Sequence, residues 1–376
     1  MTDRRFDIAV IGAGIAGASA AAHLAADARV ALLEMEARPG VHTTGRSAAL
    51  FSKTYGPAPI RALSRASEAF FDAPPSGFAA APILTPRGCL FTVRDDQAAA
   101  ADALAAELGD AVARIPAAEA RALCPLIRDG YAAEALWDDA ARDIDVDALH
   151  QGFLRMARAA GAELIAKAPV SSLARDGDAW RISTPAGDLL ADVVIDAAGA
   201  WADEVAALAG AAPRGLTPKR RTALIVAAPD GVDPAPWRMV VDVEERFYLK
   251  PEAGKLLISP ADETPSAPCD AQPEELDVAL AVDRIERAFD LQVRRIEHKW
   301  AGLRSFVADK HPVMGFALEA PGFFWLAGQG GYGIQTAPAA GRLAAALALG
   351  RPAPQDILDQ GLDLDDIHPG RPALAA

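Results

Sequence analysis

The sequence predicts an α/β protein of two domains, in which a nucleotide-binding domain is interrupted twice by a second domain. Three observations support this prediction. The chain has 376 residues, enough for about two typical domains. It opens with a strand, a glycine-rich turn, a helix and a second strand, the order found in a βαβ unit. A buried strand, a second glycine-rich turn and a helix follow near the other end, after a β-rich stretch.

The first unit contains Gly12-Ala13-Gly14-Ile15-Ala16-Gly17 between a strand at Ile8–Ile11 and an alanine-rich helix at Ala18–Ala26. In this pattern the first glycine permits a tight turn, the second lets the backbone approach a pyrophosphate, and the third lets helix and strand pack closely. The helix N-terminus favours a bound anion. The second strand, Val30–Leu33, ends on Glu34, which is placed to accept hydrogen bonds from an adenosine ribose. The unit indicates a dinucleotide site; the alternative is a tight turn followed by a solvated glutamate.

The glycine motif does not distinguish a nicotinamide cofactor from FAD, but two later segments favour FAD. A small, polar, glycine-bearing loop over residues 38–49 follows Glu34, where a simple NAD domain usually continues into a crossover helix. A loop there suits an extended FAD, with an ordinary surface loop as the alternative. Gly328–Gly333 separates a buried strand at Phe323–Leu326 from a helix running from Ile334 to about Leu349. That helix N-terminus can face an anionic flavin; the alternative is a flexible connection.

The remaining elements follow from the spacing of apolar residues and from proline, glycine and aspartate at their boundaries. Further helices are predicted over Pro57–Phe71, Gln97–Gly109, Pro116–Cys124, Asp145 to about Ala160, and Glu274–Phe289. Further strands are predicted at Leu84, Leu90–Val93, Ala162–Ala166, Trp180–Ser183, Val193–Ile195, Thr222–Val226, Met239–Val243, Phe247–Lys250, Leu256–Ser259 and Leu303–Val307. We place the nucleotide-binding domain at residues 1–80, 141–212 and 310–376, and the second, substrate-binding domain at 81–140 and 213–309.

The composition excludes several classes of protein. Apolar types make up 51% of the chain and charged types 23%, close to the averages for globular proteins. No apolar run approaches the roughly 18 residues of a membrane span. The net charge is −14, whereas a nucleic-acid-binding protein needs a basic surface, so nucleic acid is disfavoured as a partner. An anionic membrane surface would be repelled for the same reason.

The cysteines indicate neither a disulfide framework nor a metal site. Cys89, Cys124 and Cys269 are far apart and odd in number, without the spacing of metal ligands. A reducing cytoplasm is therefore the expected location. The Arg4-Arg5 pair is not expected to begin an export signal, because only the short apolar run Ile8–Ile11 follows it.

The chain resembles the FAD-dependent D-amino-acid oxidase and glycine oxidase family almost end to end, and the bacterial D-arginine dehydrogenases are the most similar branch. The resemblance is carried by Ala9–Ala18, Thr44–Ala49, Asp145–His150, Ala197–Trp201, Pro218–Arg221, Phe247–Pro251, Trp300–Phe306 and Gly328–Thr336. It implies a glutathione-reductase-like FAD-binding domain and a mixed β-sheet substrate domain.

The resemblance also implies the cofactor and its contacts. The FAD is expected to be non-covalent, since the three cysteines lie outside the flavin-facing motifs. The residues implied to bind it are Gly12, Gly14, Ile15, Ala16, Gly17, Glu34, Thr44, Gly45, Arg46, Ser47, Ala48, Val170, Ala198, Gly199, Trp201, Gly330, Gly331, Tyr332, Gly333, Ile334 and Gln335. In such enzymes flavin N5 takes a hydride from Cα of an amino acid, and water hydrolyses the resulting imine. The electron acceptor, oxygen or a quinone-like molecule, is left open, as is the oligomeric state, a monomer included.

A guanidinium suits the grip of an α-carboxylate, because it offers paired donors in a fixed plane. By resemblance Arg304 is the carboxylate-binding arginine, Arg221, Tyr55 and Tyr248 assist it, and the carbonyl of Gly331 accepts the substrate amine. No side chain is marked as a general base, and an amine that arrives neutral needs none. The alternatives are a structural ion pair for Arg304, a solvated charge run for Arg221 and simple packing for both tyrosines.

Three histidines, His42, His150 and His298, are interpreted as structural, because no nucleophile or acid accompanies them in a motif.

By resemblance, the substrate side chain is expected to lie among Leu50, Ser52, Cys89, Met239 and Val241. Cys89 stands where the D-arginine dehydrogenases have the acid that receives the guanidinium. Leu50 replaces a histidine of those enzymes and Ser52 replaces a threonine, whereas Met239 and Val241 match their apolar pocket residues. Losing the acid predicts a preference for neutral or apolar side chains over D-arginine, since a buried unpaired cation is costly. The preference would not hold if a nearby acid took over that charge, the candidates being Asp242, Glu244 and Glu245.

The sequence therefore predicts an enzyme, a D-amino-acid dehydrogenase or oxidase that converts a D-amino acid to a 2-oxo acid and ammonia. One alternative is an oxidase or dehydrogenase of a secondary amine, such as an N-methyl or cyclic imino acid. Another is a flavin-binding regulator without turnover.

Overall fold

The computed structural model describes residues 4–374, so the outer ends of the predicted ranges 1–80 and 310–376 lie outside the described residues. The strands are β1 (Arg4–Ile11), β2 (Val30–Leu33), β3 (Leu50–Phe51), β4 (Leu84–Pro86), β5 (Cys89–Val93), β6 (Ala113–Pro116), β7 (Glu134–Asp138), β8 (Arg142–Ile144), β9 (Glu163–Ile165), β10 (Ser172–Asp176), β11 (Ala179–Ser183), β12 (Leu189–Asp196), β13 (Thr217–Val226), β14 (Met239–Asp242), β15 (Tyr248–Glu252), β16 (Lys255–Ser259), β17 (Ile296–Phe306), β18 (Val313–Phe316) and β19 (Phe323–Ala327). The helices are α1 (Ile15–Leu24), α2 (Ala58–Asp72), α3 (Ala98–Leu108), α4 (Ala117–Leu123), α5 (Val146–Ala159), α6 (Ala202–Leu208), α7 (Glu275–Ala288), α8 (Gly333–Ala348) and α9 (Gln355–Leu358).

The first large sheet is built around five parallel strands in the order β9-β2-β1-β12-β19. Antiparallel strands extend it, with β18 beside β19, and β10 and β11 beside the first half of β12. Because parallel strands point the same way, the carboxyl ends at Ile11, Leu33, Ile165, Asp196 and Ala327 meet at one edge. This is the edge at which ligands bind in open α/β sheets.

Helices cover both faces of this sheet, which explains why β2 and β19 are apolar without alternation. Residues of α1, α2, α5 and α8 form one buried cluster, and residues of α6 belong to the cluster on the opposite face. Small side chains let α1 and α8 approach closely. A Cβ added at Gly341 would lie 2.8 Å from the backbone carbon of Ser19. The alanine-rich sequence of α1 therefore serves helix–helix packing.

The second large sheet runs β17-β13-β16-β15-β14-β5-β7-β6 and is mixed, because β5 and β14 are parallel and the other pairs antiparallel. Its strands alternate between two faces. One face packs against α7 through residues such as Leu224, Ile258 and Ile285. The other face includes Cys89 and Tyr248 and is turned toward the site described below.

A small third sheet, in the order β3-β8-β4, connects the two parts. Strands of the first sheet all come from residues 1–80, 141–212 and 310–376, and strands of the second all come from 81–140 and 213–309. The domain boundaries themselves stay a prediction. Within residues 4–374, no helix combines the length and the apolar character of a membrane span.

Candidate active site

The first glycine turn lies at the carboxyl end of β1 and excludes side chains by close backbone contact. Gly12 has φ +101°, and a Cβ there would lie 2.4 Å from the carbonyl oxygen of Ala197. A Cβ at Gly17 would lie 1.8 Å from the carbonyl oxygen of Gly12. The buried Glu34 carboxylate accepts hydrogen bonds from the backbone N–H of Ala13 at 3.2 Å and of Glu36 at 3.0 Å. Glu34 thus joins the ends of β1 and β2.

A cavity of about 450 Å³ lies along this carboxyl edge. Most residues expected to bind the cofactor form its wall, namely Gly12, Gly14, Ile15, Ala16, Glu34, Thr44, Arg46, Ser47, Ala48, Val170, Ala198, Gly199, Trp201, Gly330, Gly331, Gly333 and Ile334. They come from all the strand ends that meet at this edge and from the loop after Glu34. The cavity therefore continues from the first glycine turn to the second.

Four residues expected to bind the cofactor do not line this cavity: Gly17, Gly45, Tyr332 and Gln335. Gly17 serves the turn itself, as described above. A Cβ at Gly45 would lie 2.3 Å from the carbonyl oxygen of Gly40, so this glycine permits close loop packing. The Tyr332 ring packs edge-on against Tyr55, with centroids 4.8 Å apart.

Gln335 is instead part of a protein hydrogen-bond network. Its Oε1 accepts from the backbone N–H of Ser52 at 3.2 Å, and its Nε2 donates to Oγ of Ser64 at 2.9 Å. Its side chain lines a second, smaller chamber rather than the large cavity.

Three residues of the cavity wall carry a buried polar atom without a hydrogen-bond partner in the described part of the chain. These atoms are Nδ1 of His42, Oγ of Ser305 and Nε2 of Gln329. Buried polar groups are normally satisfied, so the three indicate a polar ligand in this cavity. FAD fits this demand, because its phosphates, hydroxyls and ring heteroatoms can satisfy them.

His42 is the clearest of the residues that sequence reasoning missed. Its Nε2 lies 2.9 Å from Oε1 of Glu36, and its ring packs against Trp201 with centroids 4.9 Å apart. The interpretation of His42 as structural therefore omits its place in the cavity wall. The available signal was its position inside the loop that was expected to follow the cofactor.

Arg46 holds this loop against the second sheet. Its guanidinium donates to the carbonyl oxygens of Val41, Ala271 and Ala301 at 3.1, 2.8 and 3.0 Å, and it also pairs with Asp270. These contacts commit most of the Arg46 donors to the protein itself. The residue therefore fixes the shape of the cavity wall.

A smaller chamber of about 80 Å³ adjoins the cavity on the side of the second sheet. All five residues expected around the substrate side chain line it: Leu50, Ser52, Cys89, Met239 and Val241. All five expected at the reacting end line it as well: Arg304, Arg221, Tyr55, Tyr248 and Gly331. Four of these, Arg221, Tyr248, Arg304 and Gly331, also line the large cavity, so the two spaces meet there.

Strand register explains why distant residues meet in this chamber. Met239 lies opposite Cys89 across β14 and β5, and Val241 lies opposite Tyr248 across β14 and β15. Residues opposite each other, or two apart along one strand, share a face of the sheet. The same rule puts Arg221 and Arg304 on one face, because Arg304 is opposite Lys219 on the neighbouring strand β13.

Arg304 carries a positive charge without a carboxylate partner among the residues that the structure describes. Its nearest polar side-chain contact is the Tyr55 hydroxyl, 3.4 Å from Nη1. Burial acts against the charge, but Tyr55 and Tyr248 outweigh it, so the pKa of Arg304 lies above its ordinary value. A Cβ at Gly331 would lie 2.8 Å from Nη1, so the guanidinium rests directly on this glycine. An anion in the chamber would complete the arrangement.

Arg221 differs from Arg304 because it has a carboxylate partner. The residue is 8% exposed, so it is not part of a solvated charge run. Its Nε donates to the carbonyl oxygen of Asp262 at 2.8 Å, and its Nη2 lies 3.2 Å from Oε1 of Glu263. Glu263 also pairs with Lys219 at 3.0 Å. Arg221 is thus fixed in position and contributes less free charge to the chamber.

Only one of the three acids considered as substitutes for the missing one reaches the chamber. Asp242 is buried and receives hydrogen bonds from Arg94 and Gln97. Glu244 accepts from Gln97 as well. Glu245 lines the chamber but is exposed, and its backbone has φ +55° in the tight turn after β14. It therefore lies at the solvent side of the chamber.

Cys89 is a neutral group in the chamber wall. Burial, and to a smaller degree the charge of Asp138, raise the pKa of the Cys89 thiol well above its usual range. Cys124 is buried in the core of the second sheet and Cys269 is exposed. Within the described residues there is no group of histidine, cysteine and acidic side chains that could hold a metal ion.

Comparison with known proteins agrees with this geometry. The model of the DAO family, FAD-dependent oxidoreductases, matches residues 7–347. The chain belongs to the DAO family. FAD is therefore its cofactor, and the chain is an FAD-dependent oxidoreductase.

Relatives of this DAO protein differ in how much of their length is shared. Glycine oxidase of Bacillus subtilis is 28% identical over 214 residues, 55% of each protein. Human mitochondrial dimethylglycine dehydrogenase is 31% identical over 139 residues, 36% of this chain and 16% of the relative. The crystal structure of glycine oxidase from Geobacillus kaustophilus superimposes with a TM-score of 0.81 at 24% identity, covering 93% of this chain and 96% of that one. The predicted fold, an FAD-binding domain of the glutathione-reductase type with a mixed-sheet domain, is confirmed.

Proposed function

We propose that this protein oxidatively deaminates a D-amino acid to a 2-oxo acid and ammonia, with a preference for neutral or apolar side chains over D-arginine. The observation that carries the proposal is Arg304, a guanidinium shared by the cavity and the chamber without a carboxylate partner in the described chain. A substrate carboxylate would supply that partner through charge-assisted hydrogen bonds.

The residues around Arg304 suit the head group of an amino acid. Burial raises the pKa of Tyr55, so its phenol stays protonated and can donate to the same carboxylate. The guanidinium rests on Gly331, whose carbonyl is the proposed acceptor for the amine N–H. Contacts for both ends of the head group therefore lie side by side. FAD, when bound, accepts the hydride from Cα.

The chamber wall supports the side-chain preference. Leu50, Met239, Val241 and the neutral thiol of Cys89 surround the space beyond the head group. Glu245 is the one acid among the described residues that line the chamber, and it is exposed at the solvent side. A guanidinium buried among the apolar side chains would therefore lack a partner there, at a cost of several kcal/mol. An apolar side chain would gain roughly 0.8 kcal/mol per buried methylene. The volume of about 80 Å³ also favours short side chains over arginine.

The D configuration rests on the resemblance of the sequence segments around the site to the D-arginine dehydrogenases. The second candidate is oxidation of a secondary amine, an N-methyl or cyclic imino acid, which is supported by the 31% identity to dimethylglycine dehydrogenase. A flavin-binding regulator without turnover is less well supported, because Arg304, Tyr55 and Tyr248 meet beside the cofactor cavity. Oxygen or a quinone-like molecule would reoxidise the flavin. The three unpaired cysteines support a cytoplasmic location.

Anaerobic titration of the holoenzyme distinguishes these functions. We expect D-alanine and D-leucine to bleach the visible absorbance of the flavin, D-arginine to do so with a lower kcat/KM, and the L-amino acids not to do so. Bleaching by N-methylglycine or proline alone would support the second candidate instead. A flavin that none of these amines reduces would support the third candidate, a flavin-binding regulator without turnover.

A further inference from the structure

A buried carboxylate lies directly behind the wall of the smaller chamber. Asp138 ends β7, is 2% exposed, and is paired opposite Cys89 of β5. Side chains of opposite residues share a face of the sheet, so the Asp138 carboxylate lies beside the Cys89 thiol. Its influence on the pKa of Cys89 agrees with that position. An acid is thus present one strand away from the place where the D-arginine dehydrogenases have theirs.

Asp138 has only neutral hydrogen-bond partners. Its Oδ2 accepts from Oγ of Ser52 and from Oγ1 of Thr54, both at 2.9 Å, and its Oδ1 accepts from the backbone N–H of Ala140 at 3.1 Å. It forms no ion pair with a cationic side chain in residues 4–374. A buried carboxylate with only neutral partners is costly to keep charged, because no counter-charge offsets its loss of hydration.

Ser52 Oγ has its hydrogen-bonding capacity largely committed within this cluster. As a carboxylate, Asp138 supplies no hydrogen, so both hydroxyl hydrogens can be directed to its Oδ2, and the 2.6 Å contact between Ser52 Oγ and Thr54 Oγ1 then contains none. Ser52 Oγ also accepts from the backbone N–H of Thr54 at 3.2 Å. With its hydrogen directed to Asp138, Ser52 can only accept a further hydrogen bond, and a donor on the substrate would supply it.

The cluster reaches the substrate through Ser52, which lines the chamber, whereas Asp138 and Thr54 lie behind it. We propose that the Ser52–Thr54–Asp138 cluster is the subsite that selects the substrate side chain, favouring a short side chain that ends in a hydrogen-bond donor and rejecting a carboxylate. This inference rests on the proposed function and names the substrate class within it. Asp138 acts through Ser52 and is a positioning residue.

Hydroxyl and carboxamide groups fit this chemistry best. Either can donate a hydrogen bond to Ser52 Oγ and leave the Ser52 hydrogen on the cluster. A carboxylate of the same size has no donor and would add a second negative charge near Asp138. A chamber of about 80 Å³ is room for roughly five to eight water-sized groups. The side chain of arginine alone would fill it, and the head group, whose expected contacts Arg304, Tyr55 and Gly331 line the same chamber, would then not fit.

The experiment compares substrates of equal size on the holoenzyme. The two pairs are D-serine with D-2-aminobutyrate, and D-asparagine with D-aspartate, and each kcat/KM is divided by that for D-alanine with the same variant. In Ser52→Ala and in Asp138→Asn we expect the preference for D-serine over D-2-aminobutyrate to fall about three- to tenfold, the worth of one hydrogen bond. In Asp138→Asn we expect the discrimination against D-aspartate to weaken by about tenfold or more.

A second buried acid, on helix α7, provides the matched control. Asp277 is 6% exposed and pairs with Arg220 on the opposite face, away from the chamber. Asp277→Asn should lower the unfolding temperature and leave both substrate ratios as they are. Ser52→Ala is the smaller change and carries the test if Asp138→Asn does not fold.

Unchanged ratios in Ser52→Ala would overturn the inference while D-alanine still reduces the flavin and the proposed function stands. Equal shifts in Asp277→Asn and Asp138→Asn would overturn it too, because they would reveal a general loss of stability. A holoenzyme that D-alanine does not reduce overturns the proposed function and the inference together.

Discussion

A guanidinium that is largely removed from water and lacks a carboxylate is costly, and its neighbours show how Arg304 is maintained. The guanidinium rests on Gly331, and the Tyr55 and Tyr248 oxygens favour its charge. Nearby Arg221 pairs with Glu263, which it shares with Lys219, whereas Arg304 has no carboxylate partner in the described residues and therefore attracts an anion more strongly.

Arg304→Met is expected to remove most turnover while FAD stays bound. Truncating one partner of a buried charged contact costs on the order of 2–5 kcal/mol, roughly a 30- to 5,000-fold loss in kcat/KM. Steady-state kinetics with D-leucine measure the turnover, and the flavin absorbance of the purified variant measures the bound FAD. Arg304→Lys is the matched control, because it keeps the charge but loses the planar fork. Its kcat/KM should lie between those of the wild type and of Arg304→Met. A loss below about threefold in the methionine variant would remove Arg304 from the site.

Gly331→Ala is expected to impair substrate use without loss of fold or cofactor. The new Cβ would lie 2.8 Å from Nη1 and 2.9 Å from Cζ of Arg304, so the flexible guanidinium must move. A misplacement of about 1 Å at a reacting site can cost up to roughly a hundredfold. Kinetics with D-alanine, together with the FAD content, check this expectation. Unchanged kcat/KM would show that the guanidinium does not need this glycine.

At the scale of elements, the well-predicted segments are those buried on both faces or amphipathic. Strand β2 lies at Val30–Leu33 as predicted, and α5 begins after Asp145, whose carboxylate accepts from the backbone N–H of Ala148 at 2.9 Å. Strands β3, β6, β7, β8, β10 and β18 were not predicted. Of these, β6 and β10 each have a single buried residue and lie at the end of their sheet, so apolar alternation is absent from their sequences. The first seven of the eleven residues of β17 were also missed, and five of them, residues 296–300, are exposed or half-buried at an edge of the second sheet.

Helix α1 carries a half-buried histidine whose contribution to stability depends on pH. The His23 ring packs against Phe153 of α5, with centroids 6.2 Å apart, and its Nε2 has no partner in the described residues. Burial, with a smaller contribution from Arg342, lowers the pKa of His23 from 6.5 to about 4. The unfolded chain therefore takes up a proton below about pH 6.5, whereas the folded chain resists it until about pH 4. The contribution of the neutral His23 to stability is therefore complete above about pH 6.5 and is lost as the pH falls from there toward about pH 4.

His23→Leu is expected to reduce this acid sensitivity. Between pH 7 and pH 5 the histidine accounts for about 2 kcal/mol of lost unfolding free energy, at 1.36 kcal/mol per pKa unit. Urea unfolding of holoenzyme at both pH values, with the same excess of FAD, measures the difference for each protein. An equal loss in the leucine variant would mean that another group dominates the acid response.

At the scale of the whole molecule, the large cavity lies where the carboxyl edge of the first sheet meets the second sheet. Its wall contains no cysteine among the described residues, and the buried polar atoms of His42, Ser305 and Gln329 have no partner within the described protein. FAD would therefore contribute to the stability of both parts by mass action.

The FAD is expected to be tightly but non-covalently bound. Acid precipitation should release it into a yellow supernatant, and the apoprotein should unfold at a lower temperature than the holoenzyme. A differential scan with and without added FAD, together with the colour of the pellet, tests both points. A yellow pellet would indicate a covalent bond, and equal unfolding temperatures would indicate that the cofactor does not hold the two parts together.

The sequence by itself determined the parts of the site that depend on local backbone geometry. The turn at Gly12–Gly17, the acid at Glu34 and the turn at Gly328–Gly333 are recognisable because a strand, a tight turn and a helix follow one another directly. Their glycines are needed within a few residues, where neighbouring backbone leaves no room for Cβ. Such requirements leave a pattern in a linear sequence.

Only the tertiary structure decided which charges face the substrate. Glu263 pairs with Arg221, and Arg304 has no carboxylate partner in the described residues. The acid behind the chamber, Asp138, lies opposite Cys89 in the pairing of β7 with β5 and accepts a hydrogen bond from Ser52, the residue after β3. Asp138 stands 49 positions from Cys89 and 86 from Ser52 in the sequence. Burial and cross-strand register create these contacts, and neither is encoded by the spacing of residues along the chain.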